Sequence, residues 1–324
     1  MLLATMANPL IYFSSCTLFL SILIILIKFF NKVWWTPICI QSLMKSQGIR
    51  GPSYRFLHGM NFLQWYGPQA QLIITEPELV KQILSNKDRA YPKTKVSSEI
   101  KKLLGDGIVL SEGEKWVKLR KLANHAFHGE SIKGMVPEMI ASLEIMLERW
   151  RHRNSKEIDI FVEFKILTSE VISRTSFGSS YLEGQHVFDM LTRMTHIISE
   201  NNYRAPTFSF IQDSNVAEMN VHQNPEIWGE DALLFKPERF ADGVVKATNN
   251  NIAAFMPFGL GPRNCAGMNF AITETKLALS MILQRYSFTL SPTYAHCPTE
   301  VLTMCPQHGV QVILQPYDHI ALKV

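Results

Sequence analysis

The sequence lacks the cysteine patterns that build small metal sites or disulfide frameworks. Its 324 residues include five cysteines, and no two of them form a Cys-x-x-Cys pair. A structural zinc site is therefore not expected. The chain also contains no Asn-x-Ser/Thr sequon, in keeping with a cytosolic bulk, where disulfides are rare. The cysteines are Cys16, Cys39, Cys265, Cys297 and Cys305, and the last two are most simply interpreted as small buried apolar residues.

Internal repeats, low-complexity tracts and basic patches interleaved with aromatic residues are also absent. The formal net charge is only +4, so the composition does not favour nucleic-acid binding. The chain is 47% hydrophobic, with 10% aromatic residues and 14 methionines. This composition argues against disorder and predicts a well-filled core.

Charge is missing from the N-terminal end, where residues 1–27 contain no acidic or basic side chain. Residues 10–27 read LIYFSSCTLFLSILIILI, and about 20 apolar residues in a helix span a bilayer. A signal peptide would carry a cation before this run, whereas here the cations follow it, at Lys28, Lys32, Lys45, Arg50 and Arg55. Aromatic residues lie at the same edge, in FFNKVWW. We predict a retained single-span anchor over residues 1–30, a linker over 31–50 and a cytosolic remainder.

Most of the remaining chain shows helical periodicity. Helix-like segments begin after Thr75, which is a candidate cap with Pro77 in the first turn, after Ser111, at 136, at 159 and after Cys265. Ser111 and Glu114 fit a capping box at the start of the second of these. Two stretches are typical of short strands, AQLIIT and HGVQVILQP. The expected fold class is therefore mainly α with small β elements.

One glycine-rich loop, FMPFGLGPRNCAGMNF over residues 255–270, places a cysteine ahead of a helical segment. Its glycines permit left-handed backbone and close approach to a large flat ligand. Its arginine can bind an anionic group, and its phenylalanine can shield the sulfur from water. Free N–H groups at a helix start stabilise a thiolate, so the cysteine is a candidate axial ligand of haem iron. The candidate residues are Phe258, Gly259, Gly261, Arg263, Cys265 and Gly267, with Cys265 as the metal ligand; a structural cysteine in a turn is the alternative.

The loop resembles the haem-binding signature of the cytochrome P450 monooxygenases, F-G-x-G-x-R-x-C-x-G, which chance matches at roughly 10⁻⁸ per starting position. HQNPEIWGEDALLFKPERF resembles the meander region that precedes the signature in that family. GEKWVKLRKLANHAFH resembles the family's C helix. Together with QGIRGPSYRF, these segments are similar to the plant secologanin-synthase-like branch.

This resemblance implies a cytochrome P450 fold that holds haem b and inserts one oxygen atom of O2 into a hydrophobic small molecule. Trp116 and Arg120, at i and i+4 on one helix face, are implied to contact a haem propionate. Electrons are implied to come from NADPH through a flavoprotein reductase docking on a basic face. Lys115, Lys118 and Lys121 are candidates for that contact, and an ordinary solvated face is the alternative. The anchor is implied to hold the chain in the endoplasmic reticulum membrane, with the haem domain cytosolic.

Part of the family pattern is missing from the sequence. No segment matches the acid–threonine pair of the family's long central helix, and Glu274-Thr275 follows the cysteine instead of preceding it. The single Glu-x-x-Arg pair is Glu148 to Arg151, far upstream of its place in the family, and we interpret it as accidental. Arg239 of the meander is therefore expected to lack its usual partners.

The expected haem domain is thus an incomplete, internally truncated cytochrome P450 fold in two parts, residues 51–212 and 213–324. It lacks the family's central I helix and the K-helix region that carries the Glu-x-x-Arg pair. No catalytic residue is assigned. Two hypotheses follow. The chain is either a membrane-anchored haem-thiolate monooxygenase or a non-catalytic membrane-anchored remnant of that family without a distal haem pocket.

Overall fold

A computed structural model describes residues 9–31, 62–66, 69–86, 90–91, 101–102, 104–153, 156–202, 218–301 and 303–317. The chain forms two compact units. The first contains residues 1–82 and 216–255, and the second contains residues 83–215 and 256–324. Each unit therefore combines two segments that are separated in the sequence. The predicted linker, apart from residue 31, and Cys39 lie outside the described residues.

The first unit begins with an apolar helix, α1, which runs from Pro9 to Phe30. Its apolar side chains from Leu18 onwards are exposed, Phe19 to 68%. Lys28 lies in the last turn, where a cation interacts favourably with the helix dipole. Among the residues that the structure describes, no helix combines the length and the hydropathy of a membrane span. The predicted anchor is not confirmed.

A two-stranded hairpin and a short helix follow α1 in the chain. Strand β1 (Phe62–Tyr66) pairs antiparallel with β2 (Gln69–Ile73), which confirms the strand predicted in AQLIIT. Helix α2 runs from Pro77 to Leu84. Proline at its first position is favourable because that residue's N–H would have no partner inside the helix.

The segment after residue 218 folds around an aromatic cluster in the first unit. Residues 218–222 are helical. They are followed by α7 (Pro225–Trp228), α8 (Val244–Ala247) and two 3₁₀ turns, Pro237–Phe240 and Ile252–Ala254. The ring centroids of Phe240 and Phe255 lie 4.9 Å apart, and Trp228 lies 5.9 Å from Phe240. Arg239 donates to the Trp228 carbonyl oxygen at 2.6 Å and to Asp231 Oδ1 at 2.9 Å. Arg239 thus finds acceptors within its own segment.

Long helices and small antiparallel sheets form the described part of the second unit. The helices are α3 (Gly113–Ala126), α4 (Gly129–Arg151), α5 (Ile160–Ile172, continued by a π turn at Ser173–Phe177), α6 (Tyr181–Asn202) and α9 (Met268–Leu283). The strands are β3 (Glu157–Asp159), β4 (Tyr286–Leu290), β5 (Pro298–Val301), β6 (Thr303–Pro306) and β7 (Gln311–Pro316). One sheet has the order β3-β7-β4, and β5 pairs with β6. The helices predicted from residues 136 and 159 and the strand in HGVQVILQP are confirmed.

The core of the second unit lies between α4, α5, α9 and the three-stranded sheet. Helix α4 repeats apolar residues at helical spacing, and its Met139, Leu143 and Met146 are almost completely buried. Trp150 at its end packs edge-to-face on Tyr286, with ring centroids 5.8 Å apart. Such burial of large side chains is the main favourable term in folding. The packing fixes α9, and with it the loop that precedes α9.

A buried carboxylate links α4 to α5 in the same unit. Glu163 is only 2% exposed. Its Oε2 accepts hydrogen bonds from Arg149 at 2.7 Å and from the Trp150 indole N–H at 3.0 Å, and its Oε1 accepts one from Arg153 at 2.7 Å. A buried charge is tolerated when it is paired and hydrogen-bonded in this way.

Two local sequence predictions are wrong. Helix α3 begins at Gly113 after Glu112, without a side-chain cap, and Ser111 Oγ is buried with no hydrogen-bond partner among the described residues. Gly113 adopts a left-handed φ of 59°. The helix therefore begins at this residue, too late in the chain for Ser111 to act as its cap. Cys297 directly precedes β5 and Cys305 lies in β6, and both are only half-buried. The thiol of Cys297 donates to Gln307 Oε1 at 2.8 Å.

Candidate functional site

The loop before α9 is closed by its own backbone. Gly259 and Gly261 have left-handed φ angles of 71° and 76°, which turn the chain back on itself. The N–H of Cys265 then donates to the Phe258 carbonyl oxygen at 2.8 Å. The described contact of Phe258 with Cys265 is thus made by its carbonyl group. From the sequence, we expected the ring of Phe258 to cover the sulfur.

Gly261 is required by space as well as by conformation. A Cβ atom built at this position would lie 2.2 Å from the carbonyl oxygen of Leu84, far inside van der Waals contact. Any side chain here would push the loop away from that carbonyl. The glycine therefore fixes where the following 3₁₀ turn, Gly261–Arg263, can lie.

The thiol of Cys265 is exposed at the end of this loop. A Cβ atom at Gly267 would lie 4.0 Å from Sγ and 3.9 Å from the ring of Phe127, so glycine keeps that side of the sulfur open. Phe127 in turn packs on Phe270 of α9, with ring centroids 5.7 Å apart. The sulfur is thus held on a rigid support and remains accessible.

Arg263 connects the loop to the start of α3. Its two terminal nitrogens donate to the Ser111 carbonyl oxygen at 3.2 and 3.1 Å. Its guanidinium carbon lies 4.6 Å from the centroid of the Trp116 ring, a cation–π contact. Burial lowers the pKa of the Arg263 guanidinium below its ordinary value, and nearby Glu112 opposes that shift.

Arg120 binds the residue next to the cysteine. Its Nη1 donates to the backbone carbonyl oxygen of Asn264, and its Nη2 donates to Asn264 Oδ1 at 2.7 Å. The structure therefore brings Trp116, Arg120, Arg263 and Cys265 into one cluster. Asn264 was missed because the signature treats its position as variable, and its partner lies 144 residues away in the chain.

A profile of the cytochrome P450 family matches residues 52–217 and 213–314 of the sequence. The chain belongs to the cytochrome P450 family. Members of this family hold haem iron through a cysteine thiolate, so the predicted haem cofactor and the predicted class of haem-thiolate monooxygenase acting on a hydrophobic small molecule are confirmed through the family.

Plant members of the family are similar to the chain along most of its length. It is 36% identical to cytochrome P450 CYP749A22 of Panax ginseng, in an alignment that covers 94% of this chain and 96% of the relative. It is 27% identical to the 11-oxo-beta-amyrin 30-oxidase of Glycyrrhiza uralensis, over 79% of this chain and 81% of that enzyme. The chain is 24% identical to the echinocystic acid 23-monooxygenase of Saponaria officinalis, over 87% of this chain and 95% of that enzyme.

The cluster fits the proximal side of a P450 haem. One exposed sulfur, that of Cys265, suits a single axial ligand. Arg120 and Arg263 each carry more N–H donors than the two described bonds use, so both keep donors for carboxylate groups. A Cβ atom added at Gly259 would meet only the Cα of Asn264, at 3.8 Å, which leaves room for a flat ligand.

Three further features that the sequence analysis named are the candidate basic face on α3, the Glu148–Arg151 pair and Glu274. Lys115 is hydrogen-bonded to Asp106, which lowers the pKa of that carboxyl group, while Lys118 and Lys121 are exposed. Glu148 and Arg151 form an exposed i,i+3 ion pair of 2.9 Å within α4. Glu274 is 8% exposed on α9, and its Oε1 has no described partner. Burial raises the pKa of Glu274 to about 7.

Proposed function

We propose that Cys265 is the axial thiolate ligand of haem b in this chain, and that the chain is a membrane-associated monooxygenase. The observation that carries the proposal is the loop itself. It presents an exposed thiol on a closed backbone, beside two guanidinium groups of the same unit. This donor set suits one iron and the carboxylate groups at one edge of a porphyrin.

Each residue of the cluster has a distinct role in this proposal. Bound haem supplies the activation of O2. Cys265 holds the iron, and the glycines at 259 and 267 leave room for the backbone to approach the porphyrin. Gly261 lets the loop lie against the Leu84 carbonyl oxygen. Arg120 and Trp116 bind a propionate from α3, and Arg263 binds an anionic group from the loop. Phe258 fixes the backbone of Cys265, because its carbonyl oxygen accepts from the Cys265 N–H at 2.8 Å.

The electron donor in this proposal is an NADPH-dependent flavoprotein reductase. Lys118 and Lys121 on α3 are exposed and form no ion pair within the part of the chain that the structure describes, so they offer cations to an acidic partner surface. Lys115 is less available to such a partner, because it already forms an ion pair with Asp106.

Membrane association is supported by the N-terminal end of the chain. Residues 1–27 carry no charge, and α1 exposes large apolar side chains such as Leu18 and Phe19. Exposed apolar area of this kind is favoured in a lipid phase. We place the chain at the endoplasmic reticulum membrane, with residues 51–212 and 213–324 forming the cytosolic haem domain.

The substrate class is proposed from the relatives. Two of them are named for the oxidation of 11-oxo-beta-amyrin and of echinocystic acid. We therefore propose a triterpenoid or a hydrophobic molecule of similar size, and we place the chain in the secologanin-synthase-like branch of plant P450s. Residues 96–109 and the turn Pro306–Gly309 correspond to places where the family contacts substrate.

A second candidate function is a non-catalytic remnant of the same family. The alignment with the Panax ginseng relative runs over 506 positions, whereas this chain has 324 residues, so a large part of the relative faces gaps. The sequence contains no match to the acid–threonine pair of the family's central helix, and Glu274 beside Thr275 is buried on α9. A chain that lacks the distal wall of the pocket would bind haem weakly and would not oxidise substrate.

Turnover separates the two candidates. The full chain is co-expressed with a plant P450 reductase and supplied with NADPH, ¹⁸O2 and a panel of triterpenoids. The enzyme hypothesis predicts a product carrying one ¹⁸O atom, which is absent with Cys265→Ser. Haem-loaded protein that forms no product with any member of the panel supports the remnant.

A further inference from the structure

Asn264 is the residue through which α3 holds the cysteine loop. Arg120 donates to both of its oxygens, the backbone carbonyl and Oδ1. The N–H of Asn264 donates to the Gly261 carbonyl oxygen at 3.1 Å. Both residues are half-buried, where a charge-assisted bond is stronger than at an open surface.

The peptide group between Asn264 and Cys265 is fixed at both ends. Its carbonyl oxygen accepts from Arg120, and its N–H, which belongs to Cys265, donates to the Phe258 carbonyl oxygen at 2.8 Å. Hydrogen bonds that follow one another through a peptide group strengthen each other. The direction of the Cα–Cβ bond of Cys265 therefore depends on the position of Arg120.

The side chain of Asn264 makes this arrangement specific. A guanidinium that binds one oxygen can rotate about that bond, whereas two parallel bonds fix its plane. A guanidinium only donates, so the amide oxygen must face Arg120. The neighbouring Arg263 is held separately, by Ser111 and Trp116, and cannot replace this contact.

We propose that Asn264 is a positioning residue for the metal ligand: by accepting from Arg120 through Oδ1, it sets the direction of Cys265 Sγ and the plane of the Arg120 guanidinium. This role rests on the proposed function, in which Cys265 binds haem iron. Asn264 does not touch the iron and acts through the two residues that it orients.

The test compares three variants of the full haem-loaded chain. Asn264→Ala removes Oδ1. Asn264→Asp keeps an oxygen in the same place and adds a negative charge one residue before the thiolate. Asn269→Ala is the matched control, because Asn269 is an exposed residue on α9 whose side chain has no described hydrogen bond. The readouts are the Soret band of the reduced carbon monoxide complex and the midpoint potential of the iron.

We expect Asn264→Ala to raise the ratio of haem without thiolate ligation to haem with it by roughly tenfold, as for loss of one charge-assisted hydrogen bond. Asn264→Asp should restore the thiolate band and shift the midpoint potential to a more negative value, because the added charge stabilises the ferric form. Asn269→Ala should match the parent in both readouts.

The outcomes separate this proposal from the proposed function. A parent chain without any thiolate band overturns both. A parent with the band, together with an Asn264→Ala variant of the same band ratio, overturns the positioning role alone. If Asn264→Ala does not fold, Asn264→Asp decides: loss of its thiolate band, or a potential equal to that of the parent, overturns the role.

Discussion

Arg263 lies over the indole ring of Trp116, with its guanidinium carbon 4.6 Å from the ring centroid. The sequence presented these residues as two separate haem contacts, 147 positions apart in the chain. The structure shows that they also contact each other and thereby attach the cysteine loop to α3.

Replacing the indole tests the contact. Trp116→Leu should lower the free energy of unfolding of the haem-free chain by about 1 kcal/mol, because a partly buried cation–π contact is lost. Trp116→Phe keeps an aromatic face and should lose less. Urea unfolding followed by circular dichroism measures both, and equal losses for the two variants would argue against a cation–π contribution.

Gly261 should tolerate no side chain. Gly261→Ala combines a left-handed φ of 76° with a Cβ atom 2.2 Å from the Leu84 carbonyl oxygen. Gly105 has a similar φ of 69° and nothing within 4 Å of its built Cβ atom. Gly105→Ala should therefore cost about 1 kcal/mol of strain, and Gly261→Ala clearly more. Similar melting temperatures for the two variants would show that the loop does not lie against Leu84.

The sequence predicts those parts of the site that depend on one short stretch of the chain, but it does not predict contacts between distant stretches. The requirements of the cysteine loop are local, so the glycines, Arg263 and Cys265 could be identified from one short stretch. The bonds of Arg120 to Asn264 join residues 144 positions apart, and no local pattern contains that information. The predicted capping box at Ser111 was wrong because the left-handed backbone of Gly113 places the start of α3 at that residue. Helix positions were predictable because α4 and α9 carry regular apolar spacing.

The buried carboxylate between α4 and α5 should matter for stability. Glu163→Ala removes the acceptor of Arg149, Trp150 and Arg153 and should cost about 3 kcal/mol. Glu144→Ala, an exposed glutamate on α4, is the matched control and should change stability little. Chemical denaturation of both variants gives the comparison, and an equal small effect would contradict the buried network.

Glu274 should make the stability of the chain depend on pH. Burial raises its pKa from 4.5 to about 7, so between these values the folded state binds more protons than the unfolded state. The contribution of Glu274 to the free energy of unfolding is therefore greatest below pH 4.5, and it is lost as the pH rises through about 7. Glu274→Gln should remove that part of the pH dependence. Unfolding curves measured at several pH values check this, and parallel profiles for parent and variant would contradict it.

The central claim is that the thiolate of Cys265 binds haem iron in this chain, and the reduced carbon monoxide spectrum tests it most directly. The full chain is loaded with haem, reduced and exposed to carbon monoxide beside Cys265→Ser and Cys297→Ser, the latter removing a half-buried thiol of the same unit. Ligation by Cys265 predicts the red-shifted Soret band of thiolate-bound haem for the parent and for Cys297→Ser, and its loss in Cys265→Ser. A parent without that band, or a Cys265→Ser variant that retains it, would show that Cys265 is not the ligand of the iron.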